Sequence, residues 1–414
     1  MSLPTVSVVV VSWHRPDHLR RCLMSLRQQD HPALELCLVL DPDAATRTLA
    51  DLQQGGWTAR LAQNPGDNIS VARNIGLGLA RGDLVAFIDD DAVAEPTWAS
   101  RLAAAFADPH IAAATGFTRG RNGISTQWAA AEVDHLGADH PLAPPDAGLT
   151  LQGSARRAVK PVGTNCAFRR AALLAVGGFD PAYHFYLEDA DIGLRLAAFG
   201  KTALVPGAQV VHAFAASDRR RADRVPTDLH QIGASAQVFL RRHAPPDQWP
   251  AALAALRREQ SARLDRHRRA CRLGRAEVAR LMATLEAGIA EGSRRDLPAL
   301  PPIAPPAPGA GPAFAPLPGT GPRPGLLIAG RIWSRQRLLA RARAARAAGR
   351  VVTLLILSPT ARPHRLALTD DGIWLQEGGL FGRSDRNGPM FRFTTFAARL
   401  REEAEIAART RFVA

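Results

Sequence analysis

The sequence LVAFIDDDAV, residues 84–93, joins a short apolar run directly to three consecutive carboxylates, Asp89, Asp90 and Asp91. The apolar part has the composition of a buried strand, so the acidic residues fall at its carboxyl end. Like charges this close repel one another, and burying one is costly unless a cation or a hydrogen-bond donor compensates it. The stretch therefore predicts that a positive group binds at this strand end.

This stretch belongs to an alternation of short β-branched runs and amphipathic helical patterns that fills the first third of the chain. The predicted strands are 6–13, 34–41, 58–65, 83–91 and 111–120, and the predicted helices are 18–29, 44–54, 70–81 and 97–108. The alternation is typical of βαβ units and a mostly parallel sheet, in which ligands lie at the carboxyl ends of strands. Asp41 ends the second strand, so we expect it to share an edge with the acidic stretch.

Length and composition divide the chain into four predicted parts. Because 414 residues exceed what one hydrophobic core organises, we expect two or three domains, the first an α/β domain over 1–243. An Arg-rich helical extension is predicted at 244–297, an extended or disordered Pro- and Gly-rich linker at 298–325, and a small α/β module at 326–414. Within the first part, periodicity fades from about 120 to 160, which predicts a long loop or lid over the site.

The basic excess is confined to the second part of the chain. Residues 1–240 carry 22 basic and 24 acidic side chains, whereas 241–414 carry 30 and 14, so the net charges are −2 and +16. The basic amphipathic pattern of 241–296 can lie on an anionic membrane surface, but an apolar stripe of this kind more often packs on its own domain. Nucleic acid is disfavoured, because the region lacks a groove-reading motif and has few aromatic residues among its arginines.

The spacing of the cysteines and the hydropathy of the chain indicate the cellular compartment of the protein. Cys22, Cys37, Cys166 and Cys271 are widely separated and lack Cys-x-x-Cys spacing, so neither a zinc site nor a disulfide framework is predicted. No apolar run reaches the length of a membrane span, and the N-terminal segment lacks the pattern of a secretory signal. These features predict a cytoplasmic protein that associates with the inner face of a membrane through its arginines.

A second acidic cluster, YLEDADIGLRL, places Glu188, Asp189 and Asp191 in the first turn of a predicted helix. Acidic residues there suit the helix dipole, and this is one explanation of the cluster. The other is a general base at a cleft edge, which takes a proton from an attacking hydroxyl. The carboxylates near position 90 can likewise either end a strand in a turn or hold a divalent cation through oxygen ligands, particularly beside a bound diphosphate.

Taken in order, a set of motifs resembles the family 2 glycosyltransferases of the GT-A fold. The motifs are VVVVSWHRPDHLRRCLMSL, LVLDPD, VARNIGL, FIDDD, GTNCAFRRAAL, GGFD, LEDADIGLRL and VVHAF, and they cover residues 5 to about 240. The resemblance implies an α/β fold with a mixed sheet and flanking helices. It also implies transfer of a sugar, with inversion, from a nucleoside diphosphate sugar to a saccharide or lipid-linked acceptor in cell-surface polysaccharide or glycolipid synthesis.

The resemblance implies a role for each matched residue. Contacts to the nucleotide sugar are expected from Ser12, Asp41, Arg73, Asn74, Asp89 and Asp90. The expected ligands of Mg²⁺ or Mn²⁺ are Asp91 and His212, the general base is Asp189, and the acceptor contacts are Glu188, Asn165 and Asp191. A carboxylate at Asp41 can accept from an imide N–H, which favours a UDP- or dTDP-linked donor, although Pro42 departs from the common family pattern.

Other function classes are weighed on the same residues. A non-catalytic nucleotide-sugar-binding or scaffold protein would share the fold. Such a protein would not need four ionisable residues at the matching motif positions, Asp89, Asp91, Asp189 and His212. A dinucleotide-dependent oxidoreductase would carry a glycine fingerprint after the first strand, and SWHRPDHL contains no glycine. A processive polymerase that extrudes its own polysaccharide is disfavoured, because no membrane spans follow the predicted domain.

Overall fold

The computed structural model describes residues 3–64, 66–145, 147–213, 219–305 and 312–411. Its strands are β1 (Val6–Ser12), β2 (Leu34–Leu40), β3 (Arg60–Gln63), β4 (Leu84–Phe87), β5 (Ala92–Ala94), β6 (Ile111–Arg119), β7 (Thr126–Trp128), β8 (Ala131–Asp134), β9 (Asp139–Pro141), β10 (Leu149–Leu151), β11 (Arg157–Val159), β12 (Cys166–Arg169), β13 (Lys201–His212), β14 (Gly325–Arg331), β15 (Val351–Ser358), β16 (Arg365–Leu368) and β17 (Trp374–Gly379). Its α-helices are α1 (Pro16–Leu26), α2 (Pro42–Gln54), α3 (Ile69–Leu79), α4 (Trp98–Ala105), α5 (Arg170–Ala175), α6 (Glu188–Leu196), α7 (His230–His243), α8 (Trp249–Arg269), α9 (Arg275–Arg294), α10 (Arg335–Ala347) and α11 (Phe396–Ala408).

The main sheet runs in the order β10-β13-β6-β12-β4-β1-β2-β3, with β5 paired to β13 and β7 to β6. The strands β1 to β4 are parallel, whereas β12 lies antiparallel between β4 and β6. Alternate side chains of β1 point to opposite faces. Val8 and Val10 pack with α1 and α4, and Val9 packs with α3 and α5. The predicted α/β class, a mixed sheet with flanking helices, is therefore confirmed.

The region predicted as a long loop or lid, about 120–160, contains strands instead. Five short strands, β7 to β11, occupy it, and β11-β8-β9 form a separate three-stranded sheet. Each of the five has three or four residues. A strand of this length is too short to reveal alternation in the sequence, which explains why the pattern predicted a loop.

The Arg-rich extension forms two helices rather than one continuous helix. The chain reverses between α8 and α9, where Cys271 adopts a positive φ of 54°. The apolar stripe predicted from the sequence, which includes Leu264, Leu281 and Leu285, is buried in a cluster with residues before α7. Packing on its own domain was the alternative explanation of this stripe, and the described residues agree with that alternative.

The C-terminal module is a four-stranded sheet in the order β14-β15-β17-β16, with α10 and α11 beside it. It packs directly on the first sheet. The indole of Trp374 and the backbone oxygen of Gly372 both hydrogen-bond Gln28 on the loop after α1. Arg411 forms a buried bidentate ion pair with Glu95, with N–O distances of 2.7 and 2.8 Å. The module therefore contacts segments that directly follow α1 and β5.

The described parts of the Pro- and Gly-rich segment are irregular, and they lie against the first sheet. Leu317 is buried in the main core, and its N–H donates to Leu34. Arg60 on β3 donates to the backbone of Pro312. No helix within the described residues is long and apolar enough to cross a membrane.

Candidate active site

The carboxyl ends of β1, β2 and β4 meet at one edge of the sheet. In the parallel register Ser12 lies opposite Leu40, the residue before Asp41, and Val9 lies opposite Phe87, two residues before Asp89. This geometry brings the polar residues that follow three separate strands together, as the sequence predicted from the alternating pattern.

Asp90 is the internal member of the acidic stretch. It is fully buried and accepts a 2.6 Å hydrogen bond from the Ser12 hydroxyl. A guanidinium nitrogen of Arg15 lies 2.9 Å from its other oxygen. Burial raises the pKa of Asp90 to about 7, although Arg15 and Ser12 oppose the shift. Asp90 therefore fixes the loop after β1 and offers little surface to a ligand.

Asp89, Asp91 and His212 form the candidate metal centre. Their ligand atoms all lie within 4.8 Å of one another. His212 comes from β13, where it pairs with Ala92, and its Nε2 lies 3.0 Å from Asp91 Oδ1. Two carboxylates and one imidazole fit Mn²⁺ or Mg²⁺, and the part-exposed Asp89 leaves room for further oxygen ligands from a substrate.

Arg73 connects this cluster to the second acidic cluster. It is buried on α3, its Nη1 lies 2.8 Å from Glu188 Oε1, and its Nη2 lies 3.7 Å from Asp89 Oδ1. Its guanidinium also lies over the rings of Phe87 and Phe179. The Arg73 side chain therefore bridges the end of β4 and the start of α6.

The start of α6 has unusual backbone geometry. Tyr186 and Leu187 are consecutive non-glycine residues with positive φ, 78° and 68°. Such conformations cost free energy and persist only where the surrounding structure enforces them, which is common at functional sites. They turn the chain so that Glu188 points to Arg73 and the half-buried Asp189 accepts a hydrogen bond from Gly163 N–H at 3.4 Å.

Glu188 and Asp189 differ in their surroundings. One oxygen of Glu188 is paired with Arg73, and the other is buried and finds no hydrogen-bond partner among the described residues. Burial raises the pKa of Glu188, and Asp189 adds to the rise, while Arg73 opposes it. Asp189 accepts from Gly163 N–H and from its own neighbour Ala190, and it keeps more access to solvent. It is the better placed of the two to exchange a proton with a bound molecule.

Two cations at the site were missed by the sequence reasoning. Arg15, within SWHRP, contacts both Asp90 and Asp91, at 2.9 and 3.8 Å. Lys160 lies 5.3 Å above the Trp128 ring and pairs with Asp139. Burial lowers the pKa of Lys160, but the carboxylates of Asp189 and Asp139 raise it by more, so the net shift is upward. The carboxylates themselves were the only signal in the sequence that could have pointed to these cations.

Three predicted site residues have other partners. The side-chain amide of Asn74 makes two hydrogen bonds to the backbone of Phe179. Asn165 is fully buried, donates to Phe117 and Ala208, and accepts from Trp98. Asp191, on α6, is fully buried and forms ion pairs with Arg195 and His243. The predicted acceptor contacts of Asn165 and Asp191 stay predictions, and both side chains already hydrogen-bond within the protein.

Asp41 shapes the loop after β1. Its carboxylate accepts from the backbone N–H of His14 at 2.9 Å and of Ala44 at 2.8 Å. Burial raises its pKa, but these hydrogen bonds outweigh it and the net shift is downward. His14 has a positive φ of 53°, which this carboxylate stabilises. The predicted contact between Asp41 and a nucleotide base stays a prediction.

The ion pairs of Asp191 predict a pH dependence of stability. Burial raises the pKa of Asp191, but the ion pairs with Arg195 and His243 lower it by more. The pKa of Asp191 in the folded protein therefore lies below its ordinary value. The stabilisation is complete above the unfolded pKa of about 3.9 and is lost as the pH falls through the folded pKa. In urea unfolding from about pH 6 to about pH 3, we expect the stability advantage of wild type over Asp191→Asn to shrink. A constant advantage would contradict this.

The chain matches the model of the family described as glycosyltransferase like family 2 over residues 4–225. The O-antigen biosynthesis protein RfbC of Myxococcus xanthus is 28% identical over 243 residues, 54% of this chain and 18% of that protein. The glucosyl-dolichyl phosphate glucuronosyltransferase of Haloferax volcanii is 28% identical over 187 residues, 42% and 56% of the two chains. The chain thus spans less than two thirds of either relative.

Similar solved structures include two complexes that contain a nucleotide or nucleotide sugar with Mn²⁺. GalNAc-T7 with UDP, GalNAc and Mn²⁺ has a TM-score of 0.45 at 17% identity, covering 57% of this chain and 48% of that one. The mannosyltransferase PcManGT from Pyrobaculum calidifontis, in complex with GDP-Man and Mn²⁺, has a TM-score of 0.42 at 19% identity, covering 70% and 88%.

Proposed function

The chain belongs to the glycosyltransferase-like family 2, and on that premise we propose that it transfers a sugar from a nucleoside diphosphate sugar to an acceptor hydroxyl. The observation that supports this proposal is the convergence of two acidic clusters on one cleft. Asp89 and Glu188, which are 99 residues apart in the sequence, both contact the Arg73 guanidinium. Asp189 and Asp89, a member of the candidate metal centre, both act electrostatically on the same Arg73 guanidinium.

We assign the proton transfer to Asp189. Its carboxylate takes the proton from the acceptor hydroxyl, and the hydroxyl oxygen attacks the anomeric carbon as the bond to the nucleoside diphosphate breaks, which inverts the configuration. Gly163 N–H and the first turn of α6 orient this carboxylate. Arg73 keeps Glu188 away from the same role by engaging one of its oxygens.

The donor is proposed to lie over the acidic end of β4. Asp91, His212 and Asp89 would hold Mg²⁺ or Mn²⁺, which when bound neutralises the charge that develops on the leaving diphosphate. Arg15 adds a second positive charge at this end of the cleft. Ser12 and Asp90 hold the loop that carries Arg15, so they act on the donor through that loop.

The substrate classes are inferred from Asp41 and from two relatives of the chain. Asp41 at the end of β2 favours a UDP- or dTDP-linked donor, because its carboxylate can accept from a base imide. The Haloferax relative is named for a dolichyl phosphate-linked substrate and the Myxococcus relative for O-antigen biosynthesis. We therefore propose a saccharide or lipid-linked acceptor in the synthesis of a cell-surface polysaccharide or glycolipid.

Metal-dependent donor binding predicts thermal stabilisation. A ligand that binds only the native state adds about 2.7 kcal/mol to the free energy of unfolding at about 100 times its dissociation constant. In a panel of nucleoside diphosphate sugars, we expect one UDP- or dTDP-linked sugar to raise the Tm in Mn²⁺ and EDTA to remove the effect. The Asp91→Asn variant should lose the stabilisation. Asp108→Asn, which alters an exposed carboxylate in the turn after α4, should keep it.

Release of the nucleoside diphosphate then separates an enzyme from a binding protein. Turnover of the stabilising donor, with or without an added acceptor, supports the transferase. Stabilisation by a donor that is never turned over would support the alternative of a non-catalytic nucleotide-sugar-binding or scaffold protein. Equal stabilisation in Mn²⁺ and in EDTA would contradict the metal centre.

A further inference from the structure

Large apolar side chains on the surface are concentrated at one place in the C-terminal module. Among the described residues, ten large apolar side chains are exposed, and five of them are Ile332, Trp333, Met390, Phe391 and Phe393. Trp333 is 71% exposed and Phe393 is 84% exposed. Scattered single apolar residues are normal on a protein surface, whereas a cluster indicates an interaction site.

A chain of ring contacts joins these residues into one surface. The Phe381 ring lies 5.7 Å from the Phe391 ring and 5.8 Å from the Phe393 ring. The Arg331 guanidinium lies over both Trp333 and Phe396. Phe381 and Phe396 pack against the same buried cluster, which includes Leu355, Leu357 and Leu380. We call the exposed group Ile332, Trp333, Met390, Phe391 and Phe393 the aromatic edge.

The aromatic edge lies at the carboxyl ends of the module's parallel strands. Arg331 at the end of β14 pairs with Leu357, and the adjacent Ser358 pairs with Gly379 at the end of β17. Neighbouring strands are about 4.8 Å apart, so these three strand ends span only about 10 Å. The start of β17 is Trp374, which packs on the first sheet, about 17 Å away along the strand. The edge therefore lies at the opposite end of β17 from Trp374, the residue that contacts the first sheet.

The module that carries the aromatic edge is strongly positive. Residues 325–411 contain 16 arginines, no lysine, and 7 aspartates and glutamates, a net charge of +9. Arg362 and Arg386 are exposed on the turns beside the edge. Arg362 follows the end of β15, and Arg386 lies on the loop that leads to Met390. Two exposed arginines thus lie on turns beside the exposed aromatic rings.

We propose that the aromatic edge docks the protein on an anionic lipid surface. Tryptophan and phenylalanine partition into the headgroup region of a bilayer, and each nearby arginine adds attraction to anionic lipids. Arginine can also keep its charge in the headgroup layer while its stem lies along the apolar surface. The surface that meets the membrane is therefore the module's sheet edge and not the 241–296 helices predicted from the sequence, whose apolar stripe is buried.

The charge pattern favours lipid over a second copy of the chain. Two copies that met through this edge would bring the exposed arginines of both modules together, and like charges across an interface are unfavourable. An anionic bilayer instead supplies the opposite charge over the whole surface. This inference does not depend on the proposed transferase activity, and vesicle binding tests it alone.

Sedimentation with vesicles tests the aromatic part of the edge. We expect the full chain to bind vesicles of phosphatidylglycerol and phosphatidylcholine and to bind pure phosphatidylcholine poorly. Trp333→Ala combined with Phe393→Ala should weaken the partition coefficient about tenfold or more, because two large apolar groups no longer insert. Phe199→Ala removes an exposed aromatic ring outside the module and should bind as wild type.

Charge reversal tests the basic part and the competing surface. Arg362→Glu combined with Arg386→Glu should reduce binding at low salt, and Arg275→Glu, exposed on α9, should reduce it much less. Wild-type binding by both double variants would overturn the proposal, as would an equal loss from Arg275→Glu. A dimer in analytical ultracentrifugation that Trp333→Ala with Phe393→Ala abolishes would assign the edge to a second copy and also overturn it.

Discussion

Replacing Asp189 with asparagine is expected to lower kcat for sugar transfer by about 10²-fold to 10⁴-fold, the usual contribution of a general base. Asparagine keeps the shape of the side chain, and its amide oxygen can still accept from Ala190 N–H. The substitution gives up only the long 3.4 Å hydrogen bond from Gly163 N–H, so the start of α6 should move little. It cannot accept the proton of the acceptor hydroxyl. The loss should therefore appear in kcat, with the donor KM and the donor-induced rise in Tm close to wild type.

Initial rates at saturating Mn²⁺, with the donor found by thermal stabilisation, measure this loss. Asp108→Asn is the matched control, because it makes the same chemical change on an exposed turn. Glu188→Gln is the informative comparison. Glu188 already has one oxygen on Arg73 and the other buried, so its replacement should weaken catalysis less than Asp189→Asn. A larger kcat loss from Glu188→Gln would move the base to Glu188.

The carboxyl-end rule explains why much of the site could be predicted from the sequence. Ser12, Asp41 and Asp89 each follow a separate strand, and parallel pairing of β1 with β2 and β4 brings these strand ends together. The contribution of His212 required the resemblance to a family. The β13–β5 pairing that places it beside Asp91 is antiparallel and starts from a three-residue strand that no periodicity reveals.

Two asparagines at the site have partners that the motifs did not predict. Asn74 and Asn165 lie in motifs that match the family, but a motif does not state which way a side chain points. Both residues hydrogen-bond backbone groups of neighbouring segments, Phe179 for the first and Phe117 and Ala208 for the second. Buried polar side chains need such partners, so an asparagine within a buried motif can have a purely structural role.

The C-terminal module also bears on the site, although no motif in it pointed to a function. Glu95 follows β5, which itself follows the carboxylates at 89–91, and its side chain is buried with Arg411. Arg411 in turn lies over the Trp374 ring. The strand that directly follows Asp89 and Asp91 is therefore backed by the module. A long sequence separation, more than 300 residues, is the reason local patterns could not predict this contact.

Replacing Arg73 with methionine is expected to destabilise the protein by about 3–5 kcal/mol, the usual cost of removing one partner from a buried ion pair. Methionine keeps much of the length and apolar packing against Phe87 and Phe179. It leaves Glu188 buried without a compensating cation. Since the wild-type Glu188 pKa is already raised by burial, the uncompensated carboxyl should protonate more readily, and the destabilisation should become smaller at acidic pH.

A double variant distinguishes the loss of the ion pair from a packing defect. Arg73→Met combined with Glu188→Gln removes both charges, so we expect it to recover a large part of the stability measured by urea unfolding. Its transfer rate should stay low, because the guanidinium that sets the distance between Asp89 and α6 is still missing. If the two substitutions were simply additive in stability, Arg73 and Glu188 would not be coupled. The cleft would then need another explanation for bringing Asp189 close to the acidic end of β4.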